Sequence, residues 1–236
     1  MDPVIGELQS FVDGYFQARP EIRVLEAGCG SSSYLALRPG TQLIGIDISA
    51  KQLDRNKILS QKILGDIQTY DFPVGSFDMI VCWDVLEHLP NPEKAVQRFL
   101  GAIKDDGIIV LAMPNVLSLK GQITKWTPHW FHVWVYRTIF GRKLAGTEDQ
   151  GPFRTYLRLT IAPERLRRFA RQRGFTDVFF RTYEANTQQT VRARFGVVNK
   201  RWDLLRFLTR VATVGRVDAT NSDYILVLGR RPAGTA

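Results

Sequence analysis

The residues of this chain best suited to do chemistry are acids that close apolar runs. Asp47 follows Leu43-Ile44-Gly45-Ile46, Asp66 follows Ile63-Leu64-Gly65, and Asp84 follows Ile80-Val81-Cys82-Trp83. Before them stands Arg23-Val24-Leu25-Glu26-Ala27, which breaks into Gly28-Cys29-Gly30-Ser31-Ser32-Ser33. Short apolar runs of this kind are the mark of buried parallel strands, and their C-terminal ends make the crevice where α/β sheets bind ligands. Glycines at 28 and 30 remove the Cβ atoms that would keep a ligand off the backbone. An acid about twenty residues beyond such a turn can accept both hydroxyl protons of a ribose. The pattern points to a nucleotide-like cofactor. A dinucleotide fingerprint would place a third glycine where Ser33 stands, which weakens the NAD reading.

Taken in order, E-x-G-C-G at 26–30, G-I-D at 45–47, G-D at 65–66, S-F-D-x-I-x-C at 76–82 and V-L-E-H-L at 85–89 resemble the class I S-adenosylmethionine-dependent methyltransferases. The nearest branch is the small-molecule one that includes the ubiquinone-biosynthesis methyltransferases. The likeness spans about residues 20–115 and is looser beyond.

The resemblance implies S-adenosylmethionine as donor and S-adenosylhomocysteine as product. It implies that Glu26, Gly28 and Gly30 line the methionine end and Asp47 takes the ribose. Ile48 lies against the adenine, and Asp66 accepts from the adenine amino group with the Ile67 backbone beside it. Trp83 and Asp84 begin the loop under the methionine group and face the acceptor. A leader helix of the kind that closes over the cofactor in this family brings Tyr15 into question as a further contact. His88, in the E-H pair, is a candidate for moving the acceptor's proton. Asp84-x-x-Glu87-His88, with His129 or His132, also resembles a divalent-metal site of related enzymes acting on vicinal hydroxyls, although the pair occurs widely without metal.

The elements that must position these residues follow from periodicity. Ile5, Leu8, Phe11, Val12, Tyr15 and Phe16 recur at helical intervals. Strands are expected at 23–27, 42–47, 62–64, 77–83, 108–113, 175–182 and 224–229. Short helical segments should separate them, one in the loop after Gly30 and one from Ala50 to about Ser60 capped by Ser49. Asn91-Pro92-Glu93 opens a helix to about Ile103, and Asp105-Asp106-Gly107 reads as a turn. The alternation predicts an α/β fold, a doubly wound and mostly parallel seven-stranded sheet. The resemblance adds that the seventh strand enters antiparallel.

Residues 1–236 then form a single domain, with insertions at about 115–155 and 184–220 acting as a substrate lid. The first holds Trp126, Trp130 and Trp134 among Lys120, Lys125, Arg137, Arg142 and Lys143. Three roles suit it: core packing, an active-site lid over a bulky apolar metabolite, or a membrane-surface helix. A second helix is expected near Lys200–Val211, and residues after Gly229 read as a loose tail.

Composition sets the outer limits. Residues 1–136 hold 12 Lys+Arg against 15 Asp+Glu, and residues 137–236 hold 20 against 8. The basic second half could attract nucleic acid, anionic lipid or an acidic substrate. A base-methylating N-P-P-[YF] motif is absent after the fourth strand, which turns the reading from RNA toward a small molecule. A non-enzymatic sensor with the same fold is disfavoured by the intact acid series. Cys29 and Cys82 fit two reduced, buried thiols and no zinc spacing. The N-terminus lacks a basic region followed by an apolar stretch, so the expected compartment is the cytoplasm.

Overall fold

Uninterrupted apolar strands need cover on both faces, and the order of elements supplies it. The computed structural model describes residues 3–147 and 151–230. Seven strands, β1 (Arg23–Ala27), β2 (Gln42–Asp47), β3 (Gln61–Leu64), β4 (Phe77–Trp83), β5 (Ile103–Pro114), β6 (Phe175–Tyr183) and β7 (Asp223–Arg230), form one sheet in the order β3-β2-β1-β4-β5-β7-β6. Pairs from β3 through β5 are parallel, and β7 runs antiparallel between β5 and β6. Asp223, at the start of β7, therefore lies opposite Pro114 and Tyr183 on the edge where the parallel strands end.

Side-chain alternation divides the interior into two layers. One gathers Leu25, Ile44, Ile80 and Leu111 with Val96 and Phe99 of α3 (Pro92–Ala102) and Leu166 of α6 (Pro163–Arg171). The other gathers Val24, Leu43, Met79 and Val110 with Leu8 and Val12 of α1 (Pro3–Tyr15). Tyr224, fully buried, donates its hydroxyl to the Ile161 carbonyl and so ties β7 to the turn before α6.

The expected helix after Gly30 is not formed: residues 28–41 are irregular. Side chains hold this loop instead. Gln9 exchanges two hydrogen bonds with the Ala36 backbone at 3.0 and 2.9 Å, and Arg38 donates to the Phe16 carbonyl. The Ser49-capped helix, α2 (Ala50–Arg55), stops before Ser60 because Asn56 turns extended and the Ser60 N–H donates to the Leu43 carbonyl of β2 at 2.7 Å. Asp105-Asp106-Gly107 lies within β5 rather than in a turn. Pairing with β4 shifts register there, and a Cβ on Gly107 would stand 2.8 Å from the Asp78 carbonyl oxygen. Asn91 makes no side-chain cap, so Pro92 and Glu93 carry the start of α3.

The first insertion holds α4 (Leu119–Trp126), capped by Ser118, and α5 (His129–Thr138). The second holds α7 (Asn186–Arg194) and α8 (Asn199–Ala212). Asp218 joins their roots: its N–H donates to the Leu117 carbonyl at 3.0 Å and its carbonyl accepts from the Leu119 N–H at 2.7 Å. Arg230 closes β7, and the tail read from the sequence beyond it lies outside the described residues. No helix among the described residues is long and apolar enough to cross a membrane.

Asp78 holds the opposite edge of the sheet. Its carboxylate accepts from the Arg23 N–H at 2.8 Å and from Lys104 Nζ at 2.9 Å. Replacing Asp78 by alanine should cost about 2–3 kcal/mol, because a backbone donor and an ammonium lose their acceptor together. A urea midpoint lowered at unchanged slope would show it, whereas an unmoved midpoint would contradict this account.

Candidate active site

Glu26 is the buried member of the acid series, 4% exposed. Its Oε1 accepts from Ser33 Oγ at 2.6 Å, and its Oε2 is buried with no hydrogen-bond partner. Burial pushes its pKa up to about 7, against the pull of hydrogen bonds from Ser33 and the Tyr34 backbone. The turn beyond depends on Gly28, whose φ of +73° few other residues adopt and whose N–H donates to the Ile46 carbonyl at 2.8 Å. A Cβ there would lie 2.5 Å from Val85 Cγ2. Gly30, at φ +52°, instead faces open space, with nothing within 4 Å of a Cβ.

Asp47 draws that loop onto the tip of β2. Its Oδ2 accepts from the Gly30 N–H at 2.9 Å and its Oδ1 from the Ser49 N–H at 2.8 Å, so each oxygen keeps a lone pair for a ligand. Ile48 beside it is 78% exposed, an apolar side chain offered to whatever lies on this edge. At the tip of β3, Asp66 accepts from the Gln68 N–H at 2.8 Å, and the Ile67 side chain is buried in the core. Trp83 ends β4 and stacks on Tyr34 with ring centroids 4.8 Å apart and planes within 8°.

The next residues form a second acidic group. Asp84 takes φ +52°, unusual for a residue with a side chain, and its N–H donates to the Ala112 carbonyl at 2.9 Å. A single 3₁₀ turn, Leu86–His88, places Glu87 inside with its Oε2 unpartnered. Burial raises Glu87, and Asp223 nearby adds to the push while Lys120 opposes it. Burial first and then the Glu87 carboxyl raise Asp84 as well. The Asp84 surface stays open to solvent, so water screens that push, and Glu87 holds its proton the more firmly of the two. Lys120 Nζ bonds both Asp223 oxygens at 2.9 and 2.8 Å.

Burial lowers His88, against the Arg154 carbonyl and Asp84, which favour its charged form. Its Nδ1 lies 2.9 Å from the Arg154 carbonyl oxygen, an acceptor only, so Nδ1 carries the proton and Nε2 keeps a lone pair. Glu87 Oε1 stands 3.9 Å from Nε2, beyond hydrogen-bond reach. Residues 154–157 strap this turn, with the Tyr156 and Leu157 N–H groups donating to the Glu87 carbonyl at 2.8 and 3.1 Å.

Glu26, Gly28, Gly30, Asp47, Ile48, Asp66, Trp83, Asp84 and His88 thus share the edge where β1 through β4 end. Tyr15 does not join them. Its hydroxyl donates to the Asp106 carbonyl near the start of β5 at 3.3 Å, roughly 20 Å away along strands rising about 3.3 Å per residue. Trp126, Trp130 and Trp134 are 78%, 69% and 50% exposed, and α5 buries no residue, so these rings neither fill the core nor enclose a pocket. Among the described residues no group of three or more His, Cys, Asp or Glu could hold a metal ion, and His132 Nε2 is bonded to Thr127. The arrangement that the Asp84–His88 spacing suggested is not assembled. Cys29 and Cys82 are buried thiols, with Cys29 pushed up to about 12 by burial and then by Asp47. Tyr34, Lys120 and Asp223 carry no motif; Lys120 and Asp223 meet only because β7 enters beside β5.

Residues 4–148 match the family model described as a methyltransferase domain. A ubiquinone biosynthesis O-methyltransferase of Neisseria meningitidis is 27% identical over 179 residues, 70% of this chain and 67% of that protein. An uncharacterized protein of Methanocaldococcus jannaschii is 31% identical over 118 residues, 50% of this chain and 52% of that one. The chain spans about half the length of the first curated relatives it matches. A crystal structure of a SAM-dependent methyltransferase from Archaeoglobus fulgidus superposes with TM-score 0.51 at 17% identity, covering 96% of this chain and 93% of that one.

The raised Glu26 has a measurable consequence. A carboxyl that binds its proton more tightly folded than unfolded lends stability that is complete below the ordinary value near 4.3, and loses it as pH climbs toward about 7. The loss attributable to Glu26 should reach about 3 kcal/mol. Glu26→Gln, neutral throughout, should decline less over that window. Urea titrations at pH 5, 6, 7 and 8 on both proteins test this, and parallel pH curves would refute it.

Proposed function

The chain belongs to the methyltransferase domain family, and on that premise we propose that it moves a methyl group from S-adenosylmethionine to a small-molecule acceptor, a hydroxyl on a bulky or apolar metabolite. The observation that carries the donor half of this reading is the buried, unpartnered Glu26 Oε2 beside a glycine backbone with open space over Gly30. An acceptor left bare in the interior is costly unless a ligand supplies its donor, and the donor's ammonium group would. The residues fit the group.

In this reading Glu26, Gly28 and Gly30 take the methionine end and Trp83 floors it. Asp47 accepts from the ribose hydroxyls, Ile48 covers the adenine, and Asp66 with the Ile67 backbone reads its amino edge. S-adenosylmethionine supplies an activated methyl on a sulfonium, transferred by in-line displacement with S-adenosylhomocysteine released. The protein's task is alignment, which is worth up to about 7–11 kcal/mol of the barrier when it is complete.

On the acceptor side the candidates are Asp84 and His88. The Arg154 carbonyl holds His88 as the tautomer with a free Nε2, and burial keeps it neutral, so it is ready to accept a hydroxyl proton. Glu87, beside it and disposed to keep its own proton, adds little negative charge that would hold the imidazolium. The two insertions, with Trp126, Trp130 and Trp134 on the first, rise from the same edge and would cover an apolar acceptor if they closed over it.

Two substitutions separate donor binding from chemistry. Asp47→Ala should weaken S-adenosylmethionine binding at least about tenfold, the worth of a charge-assisted hydrogen bond or two, as calorimetry reads it. Binding unchanged in that variant would sink the donor assignment. His88→Asn should leave donor affinity intact while lowering kcat about 100-fold in assays of S-adenosylhomocysteine release with candidate hydroxyl acceptors. An unaltered kcat would remove His88 from the chemistry.

A further inference from the structure

Helix α8 has two unlike sides. Trp202, Leu205, Thr209 and Thr213 form the half-buried stripe on which it rests, with the Arg192 guanidinium 5.0 Å from the Trp202 ring centre. On the reverse side Leu204, Phe207, Leu208 and Val211 recur at i, i+3, i+4 and i+7, each more than half exposed. Val214, just past the helix end, is 83% exposed. An apolar stripe at this spacing ordinarily faces a core, and α8 buries no residue at all.

Charge surrounds that stripe. Residues 186–216 contain seven Lys+Arg and one Asp, a balance of +6. Arg192 pairs with Glu184 and Arg206 with Asp203, while Arg194, Lys200, Arg201, Arg210 and Arg216 make no ion pair among the described residues. Along the flank of the stripe, Arg206 and Arg210 with Asp203, Phe207, Asp218 and Asn221 line an open cleft of about 680 Å³. Apolar side chains framed by Lys200, Arg201 and Arg210 match the boundary between phospholipid head groups and acyl chains.

We propose that the outer side of α8 docks on an anionic phospholipid bilayer. Leu204, Phe207, Leu208 and Val211 enter below the head groups, and Lys200, Arg201 and Arg210 meet the phosphates. A second copy of this chain is a poor occupant, since its own stripe carries the same cationic frame. RNA would use the cations but waste the aliphatic side chains, because base stacking needs aromatic platforms. The helix lies between the end of β6 and the start of β7 and roots at Asp218, which is bonded to Leu117 and Leu119, so docking would hold the bilayer against an insertion that rises from the ligand-binding edge of the sheet. An acceptor drawn from the membrane follows from that placement; this corollary rests on the methyl-transfer reading, and the docking itself does not.

The test uses the full chain and phosphatidylcholine vesicles with or without one quarter phosphatidylglycerol. Co-sedimentation should occur with the anionic vesicles, weaken with salt, and be absent with phosphatidylcholine alone. Leu208→Asp with Val211→Asp should lower the partition coefficient about tenfold or more. Arg201→Gln with Arg210→Gln should lower it about fivefold per charge. These residues face solvent, so unchanged thermal unfolding and unchanged S-adenosylmethionine calorimetry would certify the folded state. No affinity for anionic vesicles overturns the proposal, as does undiminished binding by the aspartate pair. So does a solution dimer that the same pair dissolves, or salt-sensitive RNA binding in place of vesicle binding. A protein that binds vesicles but gives no heat with S-adenosylmethionine would keep the docking and lose the methyl-transfer reading.

Discussion

Everything at the ligand edge depends on how this sheet tolerates carboxyl groups out of water. Glu26 and Glu87 are buried, and each leaves one oxygen without a partner. An unsatisfied buried acceptor costs about 1–3 kcal/mol, more when charged, and burial accordingly raises the pKa of both groups. Asp47 is better supplied, each of its oxygens accepting from a backbone N–H. The edge thus holds carboxyls of two kinds: one bonded and ready to accept from hydroxyls, the other desolvated and waiting for a donor. Parallel strands make this possible, because they deliver β1, β2 and β4 to the same edge side by side.

In the proposed reading the donor end and the acceptor end differ in how they are built. Around Glu26 and Asp47 the contacts are local: Ser33, Ser49 and Gly30 lie within about one loop of the acids they bond. Around Glu87 they are remote. The strap at 154–157 comes from beyond the first insertion, and the Lys120–Asp223 pair joins the first insertion to the last strand. A substitution in the strap therefore acts on His88 through the Arg154 carbonyl without touching any donor contact.

The same contrast explains what the sequence disclosed. The bounds of β1, β2 and β4 could be read because buried parallel strands are continuous apolar runs, and their terminal acids appear at fixed intervals. Where local propensity met a tertiary demand, the reading failed. Residues 57–60 are compatible with helix, yet β2 takes the Ser60 N–H as a ladder donor. Asp105-Asp106-Gly107 has the composition of a turn, yet Lys104 is drawn to Asp78 and the strand begins early. Tyr15 lies on the helical face that the periodicity marked, but periodicity is silent about which end of the sheet the helix approaches. Polar α7 has no apolar rhythm from which it could have been found.

The insertions were legible as sequence and not as surface. Trp126, Trp130 and Trp134 fit core, lid and membrane face equally well until their exposure is known, and exposure removes the first. α8 is expected from the sequence only as a helix near Lys200–Val211, and apolar spacing does not say whether a stripe meets protein or solvent. Its unpaired arginines carry the distinction. A helix covering a core places its cations toward water, opposite its apolar face, whereas Lys200, Arg201 and Arg210 of α8 border the apolar stripe that protein leaves open. Asp218 binds both insertions at one point, so α8 is tied to the first insertion at the edge where the parallel strands end.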